Sequence, residues 1–191
     1  MSTSEYVLPY KGEEYYELRL GNGRWKLPLV QVAPDEWIAY FDSLGDVKLI
    51  RYGAEELAKQ LKDCDILLTS ESKGIALAHE IAKKLGHERF IVCRKEIKQS
   101  MLNPVTVTYR PITSKKDLTL CLDSRLANLL KGKKVGIVDD IISTNATMKA
   151  MENLVEKAGG KVVKKAVLLS EGGRSKEAIH LGVLPIFKKK G

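Results

Sequence analysis

Hydrophobic positions along this chain change period several times, and each change marks a new element. Residues 65–69 (DILLT), 89–93 (RFIVC) and 161–169 (KVVKKAVLL) are short apolar runs bounded by polar turns, which predicts buried strands. Val135, Ile137 and Val138 make another such run, ending at Asp139-Asp140. Between these runs the spacing becomes helical. Ile75, Ala78, Ala82 and Leu85 form one apolar face ended by Gly86; Met148, Met151, Leu154, Val155 and Ala158 form another, stopped by Gly159-Gly160. A further helix is predicted over 54–61, with Leu57 and Leu61 inward and Glu55 and Glu56 in its first turn. Strand, loop, helix and strand in succession require a sheet that is at least partly parallel. The expected fold class is therefore α/β, a Rossmann-like, mostly parallel sheet flanked by helices.

Residues 1–45 read differently, being rich in aromatics and β-formers. Residues 15–20 and 24–32 predict a hairpin around Gly21-Asn22-Gly23, with Pro28 making the second strand an edge or interrupted one. A short helix is expected from Pro34-Asp35. Residues 105–109 and 118–122 alternate and predict a protruding hairpin, and 183–187 (VLPIF) the final strand. With 191 residues the chain suits one domain: a flap or hood layer over 1–45 and a core over 46–191.

Composition narrows the class without naming the chemistry. At 44% hydrophobic and 29% charged residues the chain reads as soluble and globular. No apolar run approaches the roughly 20 residues that span a bilayer, and the first residues lack a secretory pattern. Cys64, Cys93 and Cys121 have no metal-ligand spacing, and reduced thiols in the cytoplasm are expected. The net charge of +8 suits a polyanionic partner. No helix-turn-helix, zinc-finger or RNP-type pattern is present, so a nucleic-acid partner is not expected. His79 and His180 stand outside any catalytic pattern.

The candidate chemistry sits where strands give way to helices. Ser143, Thr144, Asn145, Ala146 and Thr147 form the turn that starts a helix, where unpaired N–H groups, hydroxyls and the positive dipole end suit a phosphate monoester. Helix capping alone would account for the hydroxyls. It leaves Asp139 and Asp140 unexplained, because adjacent buried carboxylates are costly without partners; ribose hydroxyls or a nearby cation would supply them. A second such loop, Ser70, Glu71, Ser72, Lys73 and Gly74, precedes another helix, and Arg94-Lys95 follows the next strand. All three lie at carboxyl ends of strands, where parallel sheets bind ligands. A P-loop nucleotidase would need G-x-x-x-x-G-K-[ST], which is absent, and a response-regulator acidic pair would come earlier in the chain.

The segment VGIVDDIISTNATM resembles the phosphoribosyl-pyrophosphate signature of type I phosphoribosyltransferases. Upstream, ESKGIALAHEIAKKLG followed by FIVCRK is similar to the pyrophosphate loop, helix and third strand of the adenine phosphoribosyltransferase-like branch. Many relatives have Gly-Gly where this chain has Asn145-Ala146, and Asn tolerates unusual backbone angles better than most residues. The resemblance covers residues 60–170 and implies the type I fold with transfer of 5-phosphoribosyl from phosphoribosyl pyrophosphate to a purine, adenine favoured, releasing pyrophosphate.

By that resemblance Ser143 to Thr147 hold the 5-phosphate, Asp139 and Asp140 the ribose hydroxyls, and Glu71, Ser72, Lys73, Gly74, Arg94 and Lys95 the pyrophosphate. Tyr109, Arg110, Lys115 and Lys116 are candidate contacts of a mobile hood loop, Tyr109 and Arg110 joining the aspartates as catalytic candidates. The Glu-Tyr pair that adenine-specific relatives carry in this loop has no counterpart here. Leu29 and Val30 are base-binding candidates by position, and the turn ending at Arg174 borders the base pocket. Magnesium is implied as a cofactor, held mainly by the substrate, and a homodimer as the assembly. Two alternatives stand beside this reading: a regulator that binds phosphoribosyl pyrophosphate or purines without turnover, and the same enzyme acting on hypoxanthine, guanine, xanthine or a pyrimidine.

Overall fold

The computed structural model describes residues 6–110, 116–173 and 175–189. Its elements in chain order are β1 (Val7–Tyr10), β2 (Tyr15–Leu20), β3 (Gly23–Ala33), β4 (Glu36–Ala39), α1 (Val47–Ala58), β5 (Ile66–Ser70), α2 (Gly74–Leu85) and β6 (Ile91–Cys93). There follow β7 (Val105–Tyr109), β8 (Leu118–Leu122), α3 (Ser124–Ala127), β9 (Lys134–Ile142), α4 (Ala146–Lys157), β10 (Lys161–Glu171), β11 (Ile179–Leu184) and β12 (Ile186–Lys189).

The central sheet has the order β11-β10-β9-β5-β6 and is parallel at every pairing. Its strands are buried on both faces, as a parallel sheet requires, and successive side chains serve opposite cores. Leu67 and Leu168 join Leu57, Leu77 and Ile81 from α1 and α2. Leu68 and Val167 join Met151 and Leu154 from α4, with Val107 and Leu120 of the β7–β8 hairpin closing that side. The sheet therefore lies between two helical layers, the α/β architecture expected.

Several expectations are corrected in detail. Helix α1 starts at Val47, because the Asp46 carboxylate accepts the Leu49 N–H at 2.9 Å and caps it; Glu55 and Glu56 thus fall in its last turn. Leu61 lies beyond the helix, still fully buried. The buried face of α2 is Leu77, Ala78, Ile81 and Ala82, with Ile75 and Leu85 half-buried at its flanks. Gly86 ends α2 at φ 72°, a left-handed conformation that glycine adopts without steric cost. Strand β9 continues past the two aspartates to Ile142, held by its pairing with β10.

Five further strands form a second sheet, β1-β12-β4-β3-β2, apart from the two-stranded β7–β8 hairpin. Pro34-Asp35 is the tight turn between β3 and β4, not a helix: the β-favouring residues from Trp37 onward pair back on Val30 and Leu29. Nor is β3 an edge. Its first half pairs with β2 and its second with β4, and Pro28 sits at the handover, where no ladder N–H is needed. The expected strand over 183–187 is split at Pro185; β11 completes the parallel sheet while β12 crosses to pair with β1 and β4. The expected β7–β8 hairpin forms, pairing Val105 with Leu122 and Tyr109 with Leu118. The expected turn residues Thr113, Ser114 and Lys115, together with Arg174 and Lys190, lie outside the described residues.

Candidate functional site

Strands β5, β6 and β9 all end at one edge of the parallel sheet. There Ser70, Glu71, Ser72, Lys73 and Lys95 meet Asp139, Asp140 and residues 141–148 around a cavity of about 310 Å³. Two of the stretches singled out in sequence, 70–74 and 143–147, thus face each other across the acidic pair.

Helix α4 begins at Ala146, and Asn145, just before it, has φ 61°. Asparagine often caps a helix with its side chain, but here it makes no cap bond, and its Oδ1 is buried without a partner. The N–H groups of Ala146, Thr147 and Met148 have no partner within the helix, and all three residues line the cavity. With the hydroxyls of Ser143, Thr144 and Thr147 they form a nest of donors at the positive end of the helix dipole. Asparagine tolerates the left-handed region better than most residues, which lets this loop form.

The opposite loop differs from its expectation in one respect. The Glu71 N–H is used by the Cys93 carbonyl at 3.1 Å. Its carboxylate accepts from the Lys95 N–H at 2.6 Å and from Arg94 Nη1 at 3.0 Å. Those two contacts, the Lys95 N–H foremost, hold its carboxyl below the usual range. Glu71 therefore offers nothing to an anion and masks part of the Arg94 charge. Among the described residues the N–H groups of Ser72 and Lys73 have no acceptor. Gly74 packs closely on β9: a Cβ there would lie 2.3 Å from Thr69 Oγ1 and 2.9 Å from Asp139 Oδ1. The Glu71–Ser72 peptide is cis.

Between the loops stand the two carboxylates. Asp139 Oδ1 accepts the Asp140 N–H at 3.0 Å and Oδ2 lies 3.5 Å from Ser70 Oγ; Asp140 Oδ1 accepts the Ile141 N–H at 2.9 Å. Burial raises both above the ordinary carboxylate range. The neighbouring Asp140 charge raises Asp139 further, while Lys73 opposes the rise at Asp140. Such a pair is short of hydrogen-bond donors, so a ligand with vicinal hydroxyls would satisfy it.

Other candidates are placed less directly. Tyr109 at the end of β7 brings its hydroxyl to 3.4 Å from Thr147 Oγ1, so the hairpin reaches the helix-start turn. Arg110 does not enter the site: its Nε is paired with Asp117 at 2.6 Å in solvent. Lys116 stands outside the cavity, on the exposed approach to β8. Leu29 and Val30 do not line the cavity either. Leu29 packs against the hydrophobic core, and Val30 is 42% exposed on β3.

The residues that sequence patterns missed are in the linker from β4 to α1. Lys73 Nζ lies 3.4 Å from the Phe41 carbonyl, 3.5 Å from Asp42 Oδ1 and 5.5 Å from the centre of the Tyr40 ring. Ser43 Oγ is 3.3 Å from the Lys73 carbonyl and 3.4 Å from Asp140 Oδ2. No motif marks this linker; the clue lay in the aromatic and acidic residues just after a strand.

Comparison with known proteins agrees with this geometry. The family model for the phosphoribosyl transferase domain matches residues 41–183. An adenine phosphoribosyltransferase of Clostridium botulinum (strain Loch Maree) is 33% identical over 143 residues, covering 71% of this chain and 78% of that protein. The crystal structure of adenine phosphoribosyltransferase from Thermoanaerobacter pseudethanolicus shares the fold at 24% identity, with a TM-score of 0.62 over 89% of this chain and 95% of that one. The Giardia lamblia enzyme complexed with 9-deazaadenine does so at 21% identity, with a TM-score of 0.65 over 82% and 93%. A hydroxyl-rich helix-start turn, a buried acidic pair and a facing basic loop thus share one parallel sheet edge in a chain that belongs to the phosphoribosyltransferase family.

Proposed function

We propose that this protein transfers the 5-phosphoribosyl group of phosphoribosyl pyrophosphate to adenine, releasing pyrophosphate, in purine salvage. The observation that carries the reading is the single cavity in which the turn at 143–147 and the loop at 70–74 face each other across Asp139 and Asp140. Its 310 Å³ suits a small sugar phosphate. The open N–H groups of α4 and the hydroxyls of Ser143, Thr144 and Thr147 take the 5-phosphate. Asp139 and Asp140 accept hydrogen bonds from the ribose hydroxyls. The amides of Ser72 and Lys73, with Lys73, Arg94 and Lys95, take the diphosphate.

Catalysis then needs position and charge rather than a nucleophile on the protein. The bond from the anomeric carbon to diphosphate oxygen breaks, a base nitrogen forms the new bond, and its proton leaves to solvent. Tyr109 brings the hairpin over the sugar and excludes water. Adenine is the acceptor named for the relatives, and the linker Tyr40 to Asp42, touching Lys73, is where we seat it. Residues 46–191 act as the core, with 1–45 as its cover, to which β12 adds a strand.

Among the described residues no group of three or more His, Cys, Asp or Glu side chains is placed to hold a metal. Magnesium would be held mainly by the substrate's diphosphate, facing the loop at 70–74. When bound it neutralises the charge of the leaving group. Three free cysteines suit the cytoplasm, and no described helix is long and apolar enough to cross a membrane. Leu44 and Val47, 50% and 67% exposed beside the loop at 70–74, form the surface we assign to a second copy in a homodimer.

The test is incubation with phosphoribosyl pyrophosphate, magnesium and a panel of purines and pyrimidines, following pyrophosphate release. Release with adenine ahead of the other bases is expected. Tight binding of the sugar phosphate with no turnover on any base would replace the enzyme by a regulator.

A further inference from the structure

Ser43 lies in the linker between β4 and α1, outside every motif that pointed to the site. Its side chain is wholly buried, at 0% exposure, although it is a short polar residue between elements. A buried hydroxyl needs partners, and Ser43 Oγ has two acceptors within reach: Asp140 Oδ2 at 3.4 Å and the Lys73 carbonyl at 3.3 Å. It has one proton to give. The preceding residues grip the other end of the same lysine, through the Phe41 carbonyl and the Asp42 carboxylate. The linker therefore touches Lys73 at backbone and side chain, and reaches the acidic pair between them.

We propose that Ser43 is a positioning residue that ties Asp140 to the loop at 70–74 through its single shared hydroxyl proton. This rests on the sugar-phosphate reading of the cavity. The Ile141 N–H already fixes Oδ1 of Asp140, so Ser43 sets the direction of Oδ2. An ionised Asp140 draws the proton to itself, because a charged acceptor forms the stronger bond. A protonated Asp140 donates to Ser43 Oγ, and the serine hydroxyl is then free to donate to the Lys73 carbonyl. The Ser43–Asp140 bond therefore persists in either protonation state with its polarity reversed, while the bond from Ser43 to the loop at 70–74 is complete only when Asp140 is protonated. The charged groups that act on Asp140 are Asp139 beside it on β9 and Lys73 on the loop; Lys95 acts on Asp139.

Removing the hydroxyl takes a donor from the ionised form and should move the titration of Asp140 upward. The experiment is a carbon-13 NMR titration of the aspartate carboxyls in the ligand-free protein, with the Asp140 resonance assigned by Asp140→Asn. Wild type, Ser43→Ala and Ser43→Thr are compared, with ribose 5-phosphate affinity measured by calorimetry at pH 7. Ser43→Ala is expected to raise the Asp140 midpoint and weaken ribose 5-phosphate about fivefold, the worth of one hydrogen bond. Ser43→Thr keeps the hydroxyl and is expected to restore the midpoint. If Ser43→Ala does not fold, Ser43→Cys, a weaker donor of similar size, is expected to raise the midpoint in its place. An Asp140 midpoint identical in wild type and the folded hydroxyl-free variant overturns the proposal. A wild type that binds no ribose 5-phosphate overturns the sugar-phosphate reading instead, and the carboxyl titration still reports on Ser43.

Discussion

Gly74 is the residue at which a single methyl group should separate catalysis from stability most sharply. It opens α2, and a Cβ at this position would lie 2.3 Å from Thr69 Oγ1, 2.9 Å from Asp139 Oδ1 and 3.2 Å from Asp139 Cα. Ordinary contacts begin about 1 Å beyond the shortest of these. Thr69 is fully buried and the third contact is backbone, so neither can turn aside. In Gly74→Ala the start of α2 must move away from β9 by a distance of about 1 Å. Overpacking of this kind costs about 1–3 kcal/mol, which the better helix propensity of alanine offsets by about 1 kcal/mol. At about 2–4 °C per kcal/mol for a chain of this size, Tm should fall by only a few degrees. The same displacement shifts Ser72 and Lys73 relative to Asp139, and a misplacement of about 1 Å costs about 100-fold in rate. Calorimetry paired with steady-state pyrophosphate release reads both quantities. Turnover within twofold of wild type would refute the claim that the glycine sets the distance between the two halves of the site.

Gly53→Ala is the matching control: its Cβ would meet Leu168 Cδ2 at 2.1 Å in the core, away from the cavity, so Tm should fall with kcat/KM preserved in the same two assays. Asp139→Asn should stabilise the protein as pH rises. Because the folded-state pKa is raised, the native state keeps a proton that the unfolded state has lost, and wild-type stability declines from pH 3.8 to about 7. The Tm difference between variant and wild type, measured from pH 4 to pH 8, should therefore widen upward; a difference that narrows contradicts the buried, strained carboxylate. Combining Asp139→Asn with Asp140→Asn should lower kcat/KM by about 100-fold or more, as loss of transition-state contacts does, and unchanged turnover would remove the pair from the mechanism.

What the sequence disclosed and what it withheld follow from the range of the interactions. The switch from β9 to α4, the left-handed stop at Gly86 and the β7–β8 hairpin are local, and periodicity or turn chemistry within a few residues marks each. The loops at 70–74 and 143–147 were legible for the same reason, since a parallel sheet brings their strand ends to one edge. Nothing local announces that β12 pairs with β1 from the far end of the chain, or that Pro185 divides an apolar run between two sheets. Arg110 shows a similar limit: its partner Asp117 lies across the hairpin, and composition could not say that the pair would form in solvent. Glu71 also read as part of an anion site by position, whereas its N–H and carboxylate are consumed by β6 and the residues after it. Ser43 and its neighbours were invisible because their role comes from where the linker folds, across a gap of 97 residues to Asp140.

The central claim is that the cavity is one site made of two complementary halves, a sugar-phosphate end at 143–147 and a diphosphate end at 70–74. Competition calorimetry with ribose 5-phosphate, pyrophosphate with magnesium, and phosphoribosyl pyrophosphate tests it directly. Ribose 5-phosphate and pyrophosphate should bind together, each leaving room for the other, while phosphoribosyl pyrophosphate excludes both. Mutual displacement of ribose 5-phosphate and pyrophosphate would show a single anion pocket and contradict the two-half site.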